Sequence, residues 1–153
     1  MKAIAQLLLL SALLFSCDTK KDASPTLISS GTSFGECAGY CVRSLEISSG
    51  KLLYRASSWN DPTHPTVDYD SKLSAAEWSE LIALVDIETL QSYPDVIGCP
   101  DCGDGGAEWV KVETADGSKQ ITFEYGDSLS TIQPLIDHLR IFRAYFEEQL
   151  FNK

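Results

Sequence analysis

Cysteines are the residues of this chain best suited to chemistry. Apart from Cys17, four of the five cysteines form two closely spaced pairs, Cys37 with Cys41 and Cys99 with Cys102. Such pairs can form disulfides, bind zinc through thiolates, or exchange thiol for disulfide in a redox reaction. The choice depends on the compartment of the protein and on the elements that follow each pair.

The first residues predict export. Lys2 precedes an apolar stretch over residues 4–15, which is shorter than the roughly 20 residues of a membrane-spanning helix. Such a stretch is typical of a signal peptide. Leu14-Phe15-Ser16-Cys17 resembles the lipobox of bacterial lipoproteins, so we expect residues 1–16 to be removed and Cys17 to be lipidated. The alternatives are an ordinary signal peptide with an incidental cysteine, or a retained membrane anchor.

The polar run after Cys17 predicts a tether. We expect residues 17–32 to hold the lipidated cysteine and a flexible linker, and residues 33–153 to form a single domain. Removal of Lys2 with the signal changes the formal charge from 12 − 22 = −10 to 11 − 22 = −11. This acidity disfavours nucleic acid as a partner. The predicted signal peptide and lipidated Cys17 place the protein in the bacterial cell envelope, on the periplasmic side or the cell surface. We expect it to be attached to a membrane through its lipid only.

Two segments of the domain predict β-hairpins. Residues 43–47 and 51–57 flank the turn Ser49-Gly50, and this turn places Ile47 opposite Leu52 and Leu45 opposite Tyr54. Residues 109–114 and 119–125 flank Asp116-Gly117, and that turn places Val112 opposite Ile121 and Val110 opposite Phe123. In both hairpins the apolar residues then share one face.

A helix is predicted after each hairpin. Ser74 and Glu77 have the spacing of a capping box, and apolar residues continue at helical spacing to residue 85, followed by a short turn over residues 87–93. The last helix is expected over residues 130–152. These elements predict an α+β fold of order ββαββα, with a four-stranded antiparallel sheet and two helices on one face.

The cysteine pairs are expected to form disulfides. Cys99 and Cys102 lead into glycines and a strand, whereas a redox motif favours a following helix that lowers the thiol pKa. An oxidising envelope disfavours the thiolates of a zinc site. Each pair precedes the first strand of a hairpin, so we expect the pair at Cys37 and Cys41 to partner the other pair. The sequence leaves the connectivity open.

Other polar residues predict no catalytic, cofactor-binding or metal site. Asp101, Asp104 and Glu108 could suggest calcium, but their spacing lacks the pattern of a calcium loop and favours a solvated turn. His64 and His138 are expected at the surface.

Two tryptophans are better candidates for recognition. Trp109 falls on the face opposite Val110, which marks a contact site unless the loop over residues 62–69 covers it. Trp59 is the second candidate.

The start of the domain resembles a known bacterial family. Its signature is C-x-G-x-C-P, followed by a strand, a glycine turn and a strand ending in tyrosine, and the matches here are Cys37, Gly39, Cys41, Gly50 and Tyr54, with Val42 at the proline. The family is a domain of unknown function found in exported proteins and lipoproteins. The resemblance implies an exported α+β domain with a helix and a second hairpin, and it brings no activity.

Two functional hypotheses follow. The first is a non-catalytic binding or accessory module of the envelope, with an envelope protein or a small molecule as partner, and it is favoured over an enzyme. The second is a thiol–disulfide redox protein or a zinc-dependent protein that uses the two cysteine pairs.

Overall fold

A computed structural model describes residues 24–151 of the chain. The predicted signal peptide (residues 1–16) and the predicted lipidation site Cys17 lie outside this range. The elements are, in chain order, β1 (Pro25–Ser33), β2 (Val42–Ser48), β3 (Lys51–Ser57), β4 (Val67–Lys72), α1 (Ala75–Ile82), α2 (Ile87–Ser92), a 3-10 turn (Cys102–Asp104), β5 (Ala107–Thr114), β6 (Gly117–Glu124) and α3 (Gln133–Phe151).

The strands form one antiparallel sheet in the order β4-β3-β2-β1-β5-β6. The prediction of a four-stranded sheet is therefore wrong, because the sheet has six strands, although the fold is α+β as expected. The two predicted hairpins, β2–β3 and β5–β6, share this sheet, but they do not pair with each other. Strand β1 lies between them and bonds to both.

Strand β1 includes residues that we expected in the tether. Residues 25–32 carry four serines and threonines, a glycine and only two aliphatic side chains, so they lack the apolar alternation of a half-buried strand. A central strand can nevertheless accept such residues, because its backbone groups are hydrogen-bonded on both sides. Strand β4 also escaped prediction, since its alternate residues Asp68 and Asp70 are exposed at the sheet edge.

The register of the first hairpin is confirmed and that of the second is shifted. Leu45 pairs with Tyr54 and Ile47 with Leu52, as predicted. In the second hairpin Val110 pairs with Ile121, and the turn is Ala115-Asp116 in place of Asp116-Gly117. The pairing thus moves by two residues. Because side chains alternate with a period of two, this shift leaves the predicted apolar face unchanged.

All three helices pack on one face of the sheet. Ser74 caps α1 through the predicted capping box with Glu77, in which each backbone N–H is bonded by the other side chain. Helix α3 begins at Gln133, three residues later than predicted, and places Leu135, Ile136, Leu139 and Phe146 in the core. Within residues 24–151 no helix is long and apolar enough to cross a membrane.

Candidate binding site at the disulfide end

Each cysteine pair is bonded within itself. Cys37 and Cys41 form one disulfide, with Cα atoms 5.6 Å apart, and Cys99 and Cys102 form the other, with Cα atoms 5.4 Å apart. The expectation of disulfides is confirmed, whereas the expected bridging between the two pairs is wrong. Gly39, with φ of +90°, lets the chain turn back so that Cys37 reaches Cys41.

The two disulfide loops nevertheless lie at the same end of the sheet. Ser33, the last residue of β1, pairs with Val42 on one side and with Ala107 on the other. These are the first residues of β2 and β5, and each follows a disulfide loop. We call this the disulfide end; β1 begins at the opposite end, which we call the hairpin end because it carries the turns at residues 49–50 and 115–116.

Hydrogen bonds connect the two loops. The carboxylate of Asp101 accepts from the backbone N–H of Gly35 at 2.9 Å and from that of Gly106 at 3.1 Å. Glu124 accepts from the N–H of Cys99 at 2.9 Å. Asp101 therefore connects the two loops, whereas the sequence predicted that it lies in a solvated turn. Within residues 24–151, no group of three or more His, Cys, Asp or Glu side chains could hold a metal ion.

Aromatic side chains join the same end. The Phe34 ring packs over Gly106, where an added Cβ would lie 2.4 Å from the ring, and meets the Tyr125 ring edge to face at 4.9 Å. The indole N–H of Trp59 donates to the Phe34 carbonyl at 2.8 Å. Trp59 is 52% exposed and Tyr125 is 50% exposed. Two large aromatic side chains are therefore held in place while half of their surface faces solvent.

The predicted surface histidines have partners in the fold. His64 lies 2.6 Å from the Asp61 carboxylate through Nδ1, and its ring meets the Tyr40 ring at 5.3 Å. Hydrogen bonds from Thr63 and His64 lower the pKa of Asp61 to about 2. His138 packs against Phe142 on α3. His64 thus fastens the loop after β3 to the Cys37–Cys41 loop.

Trp109 lies on the sheet face opposite the helices, as predicted. Its ring covers Gly31 of the neighbouring strand β1, where an added Cβ would lie 2.6 Å from the indole. Gly31 therefore provides the space for this ring. The indole is half-buried by the sheet itself, so it is less available for contact than Trp59.

A buried ionic cluster lies on the helix-facing side of the sheet and was not predicted from the sequence. Glu108 is fully buried, and it accepts hydrogen bonds from Arg140 at 2.7 Å and from Arg143 at 2.5 Å. Arg143, which is only 4% exposed, also donates to the Ser30 hydroxyl. Burial by itself raises the pKa of the Glu108 carboxyl, but the Arg140 hydrogen bond and the Arg143 charge outweigh burial and hold the pKa below its ordinary value.

The strand and helix periodicities of the sequence place the members of this cluster on apolar faces. Glu108 precedes Val110 by two residues, so strand alternation places it on the apolar face, in contrast to the solvated turn that we expected. Arg143 lies four residues after Leu139 and three before Phe146, within the buried stripe of α3. A charged residue at an apolar position on each of two elements indicates a buried pair.

A cleft opens beside the cluster. Its volume is about 350 Å³, and its lining includes Thr32 of β1, Tyr125 after β6, and Arg140, Arg143 and Glu147 of α3. The cleft shares Tyr125 with the aromatic group. The disulfide end therefore combines two disulfide loops, two half-exposed aromatic side chains and a polar cleft.

No protein-family model matches this chain, and no curated protein matches it. The resemblance of residues 37–54 to the exported bacterial family stays a prediction.

Proposed function

We propose that the chain is a lipid-anchored protein of the bacterial cell envelope that acts as a binding or accessory module. The observation that carries this proposal is the direction of β1. The strand starts at Pro25, close in sequence to Cys17, and runs to Ser33 beside both disulfide loops. Its nine residues rise by about 26 Å, from roughly 3.3 Å per residue. An anchor at Cys17 thus attaches to the hairpin end and leaves the disulfide end on the far side.

The disulfide end has the chemistry of a contact surface for an envelope protein. Trp59 and Tyr125 are half-exposed, and tryptophan and tyrosine are the side chains most enriched at the centres of protein interfaces. The hydrogen bond from Trp59 to Phe34 and the ring contact of Tyr125 hold both in place. Little conformational entropy is then lost when a partner binds.

Photo-cross-linking tests the contact surface. A benzophenone amino acid replaces Trp59 or Tyr125 in the full chain in its native cells, and Lys72, which is exposed at the hairpin end, is the matched control position. We expect a discrete cross-linked protein from both aromatic positions and none from Lys72. Equal products from all three positions, or no product from either aromatic position, would contradict a partner at the disulfide end.

The anchor is tested separately. Cys17→Ser is expected to move the protein from the membrane fraction to the soluble fraction and to abolish incorporation of a labelled fatty acid. Absence of the fatty-acid label from the wild type, or equal label in the wild type and Cys17→Ser, would contradict lipidation at Cys17.

A redox or zinc-dependent function of the cysteine pairs is the second candidate. The observation that favours it is exposure, since Cys99 and Cys102 are exposed whereas Cys41 is buried. A redox protein would release two thiols from Cys99 and Cys102 under mild reductant while the other disulfide survives. A zinc protein would show bound metal by elemental analysis. The binding module instead retains both disulfides, and thiol titration distinguishes these outcomes.

A further inference from the structure

We propose that the cleft beside the buried cluster binds a carboxylate group. The cleft lies between α3 and the last residues of β1, and we call it the arginine cleft after Arg140 and Arg143 in its wall. The proposal requires neither the lipid anchor nor a protein docked on the aromatic side chains. It rests on three observations, namely an unpaired hydroxyl, a pair of fixed guanidinium groups, and the balance of charge.

The unpaired hydroxyl belongs to Thr32. This residue is 2% exposed and lines the cleft, and its Oγ1 has no hydrogen-bond partner among residues 24–151. Strand pairing places its side chain on the helix-facing side, beside Glu108 and Arg43. Buried polar groups in native proteins are almost always hydrogen-bonded. An orphaned hydroxyl in the wall of a cleft therefore indicates a ligand oxygen.

The fixed guanidinium groups are those of Arg140 and Arg143. Arg140 is held by Glu108 and by the Asp127 carbonyl at 2.8 Å, and Arg143 is held by Glu108 and Ser30. Side chains tied at several points lose little freedom when a ligand arrives. Guanidinium groups also match the planar geometry of a carboxylate. Nε and Nη2 of Arg140 are engaged by Glu108 and the Asp127 carbonyl, so its Nη1 is the donor left for a ligand, and the Arg140 side chain is 27% exposed. Arg143, which is buried, adds its positive charge behind that donor.

The charge balance selects a monoanion. Two guanidinium groups face one buried carboxylate, Glu108, which leaves one positive charge in the cluster. The remaining charges beside the cleft offset one another, since Glu147 pairs with Arg43 at 3.6 Å. Asp137 lies 3.8 Å from Arg140 but is 59% exposed, so solvent screens it. A dianionic phosphate would leave one negative charge in the cleft without a positive counterpart, whereas a carboxylate carries the single charge required.

Acetate is the probe for the first measurement. The full chain is titrated with sodium acetate, with sodium chloride at equal ionic strength as reference, while amide signals of Thr32 and Gly126 are followed by NMR. We expect saturable shifts with acetate and none with chloride. Identical shifts with both salts would mean a general effect of ionic strength and would overturn the proposal.

Thr32→Val tests the hydroxyl. The change removes one oxygen at nearly constant volume, so the variant is expected to fold at least as stably as the wild type and to bind acetate about tenfold more weakly. Thr122→Val, on the opposite sheet face, is the matched control and should bind as the wild type does. Unchanged acetate affinity of Thr32→Val would overturn the proposal.

Glu147→Gln provides a second variant that does not depend on the hydroxyl. Its side chain lines the cleft and carries a charge of the same sign as acetate. Removal of that charge is expected to tighten acetate binding about twofold to fivefold. Weaker binding in this variant would contradict a carboxylate in the cleft.

Two sources could supply the carboxylate, namely a free small acid or the C-terminus of a peptide. N-acetyl-triglycine and its C-terminal amide distinguish them. Tighter binding of the free peptide than of acetate, with no binding of the amide, assigns a peptide C-terminus, whereas equal binding of peptide and acetate assigns a small acid. Failure of both acetate and the free peptide to bind would exclude a carboxylate site.

Discussion

Replacement of Glu108 by glutamine tests the buried cluster most directly. The variant keeps the size of the side chain but removes the charge of the fully buried carboxylate that faces Arg140 and Arg143. Arg143 is 4% exposed, so its charge has almost no access to water. Breaking a buried ion pair from one side costs about 3–5 kcal/mol, because the remaining charge is left uncompensated. We expect a loss of that size for Glu108→Gln.

The assay is urea unfolding of the full chain with its disulfides intact, followed by circular dichroism. Glu113→Gln is the matched control, since Glu113 lies on the same strand but faces away from the helices and pairs with Lys111 near the surface. The Glu113→Gln variant should lose less than about 1 kcal/mol of unfolding free energy. Equal slopes in urea would show that both variants unfold from comparable states. A Glu108→Gln protein as stable as Glu113→Gln would falsify the claim that Glu108 compensates the buried charge of Arg143.

The pH dependence gives a second measurement on the same variant. The native pKa of Glu108 is held below its ordinary value of 4.5, so its ionised form stabilises the fold fully above that pH. This contribution is lost as the pH falls through the native pKa. The difference in unfolding free energy between wild type and Glu108→Gln should therefore be constant from about pH 7 to about pH 5.5 and should shrink at more acidic pH. If the stability difference between wild type and Glu108→Gln grew on acidification, the pKa of Glu108 would not be lowered in the folded protein.

Three further substitutions test the fold by urea unfolding. Gly31→Ala places a Cβ 2.6 Å from the Trp109 ring and should lower the free energy of unfolding by about 1–3 kcal/mol. Gly105→Ala is the control and should cost less stability, because the atom nearest to its added Cβ would lie 3.4 Å away. Equal losses would contradict the close approach of Gly31 to Trp109. Tyr54→Phe removes a buried hydroxyl without a partner among residues 24–151 and should leave stability unchanged or raise it by about 1 kcal/mol, so a clear loss would reveal a missing partner. Ser74→Ala removes the N-cap of α1 and should cost about 1 kcal/mol, and no loss would show that the cap is dispensable.

Local chemistry made several elements predictable. The turn at Ser49-Gly50 and the alternation on both sides define the first hairpin and its register, because hairpin pairing is set within about ten residues. Ser74 and Glu77 mark the start of α1 for the same reason, since both hydrogen bonds lie within one helical turn. The disulfides were also predictable from cysteine spacing together with the predicted export.

Long-range pairing explains what was missed. Strand β1 is stabilised by partners up to 89 residues away, such as Thr114 opposite Pro25, and its own residues show no apolar alternation. Periodicity cannot identify a strand whose side chains are small and polar. The second hairpin differs from the prediction by two residues because Asp116-Gly117 indicates a turn without specifying which residues flank it. In the structure Gly117 is the first residue of β6 and pairs with Thr114.

The candidate site divides in the same way. The sequence by itself determined the two cysteine pairs and the local turns, because these depend on neighbours along the chain. Only the tertiary structure decided that each cysteine pair closes on itself, that β1 separates the two hairpins, and that Glu108 meets Arg140 and Arg143 beside Thr32. Contacts between residues more than thirty positions apart arise from the packing of α3 on the sheet, and no local pattern encodes that packing.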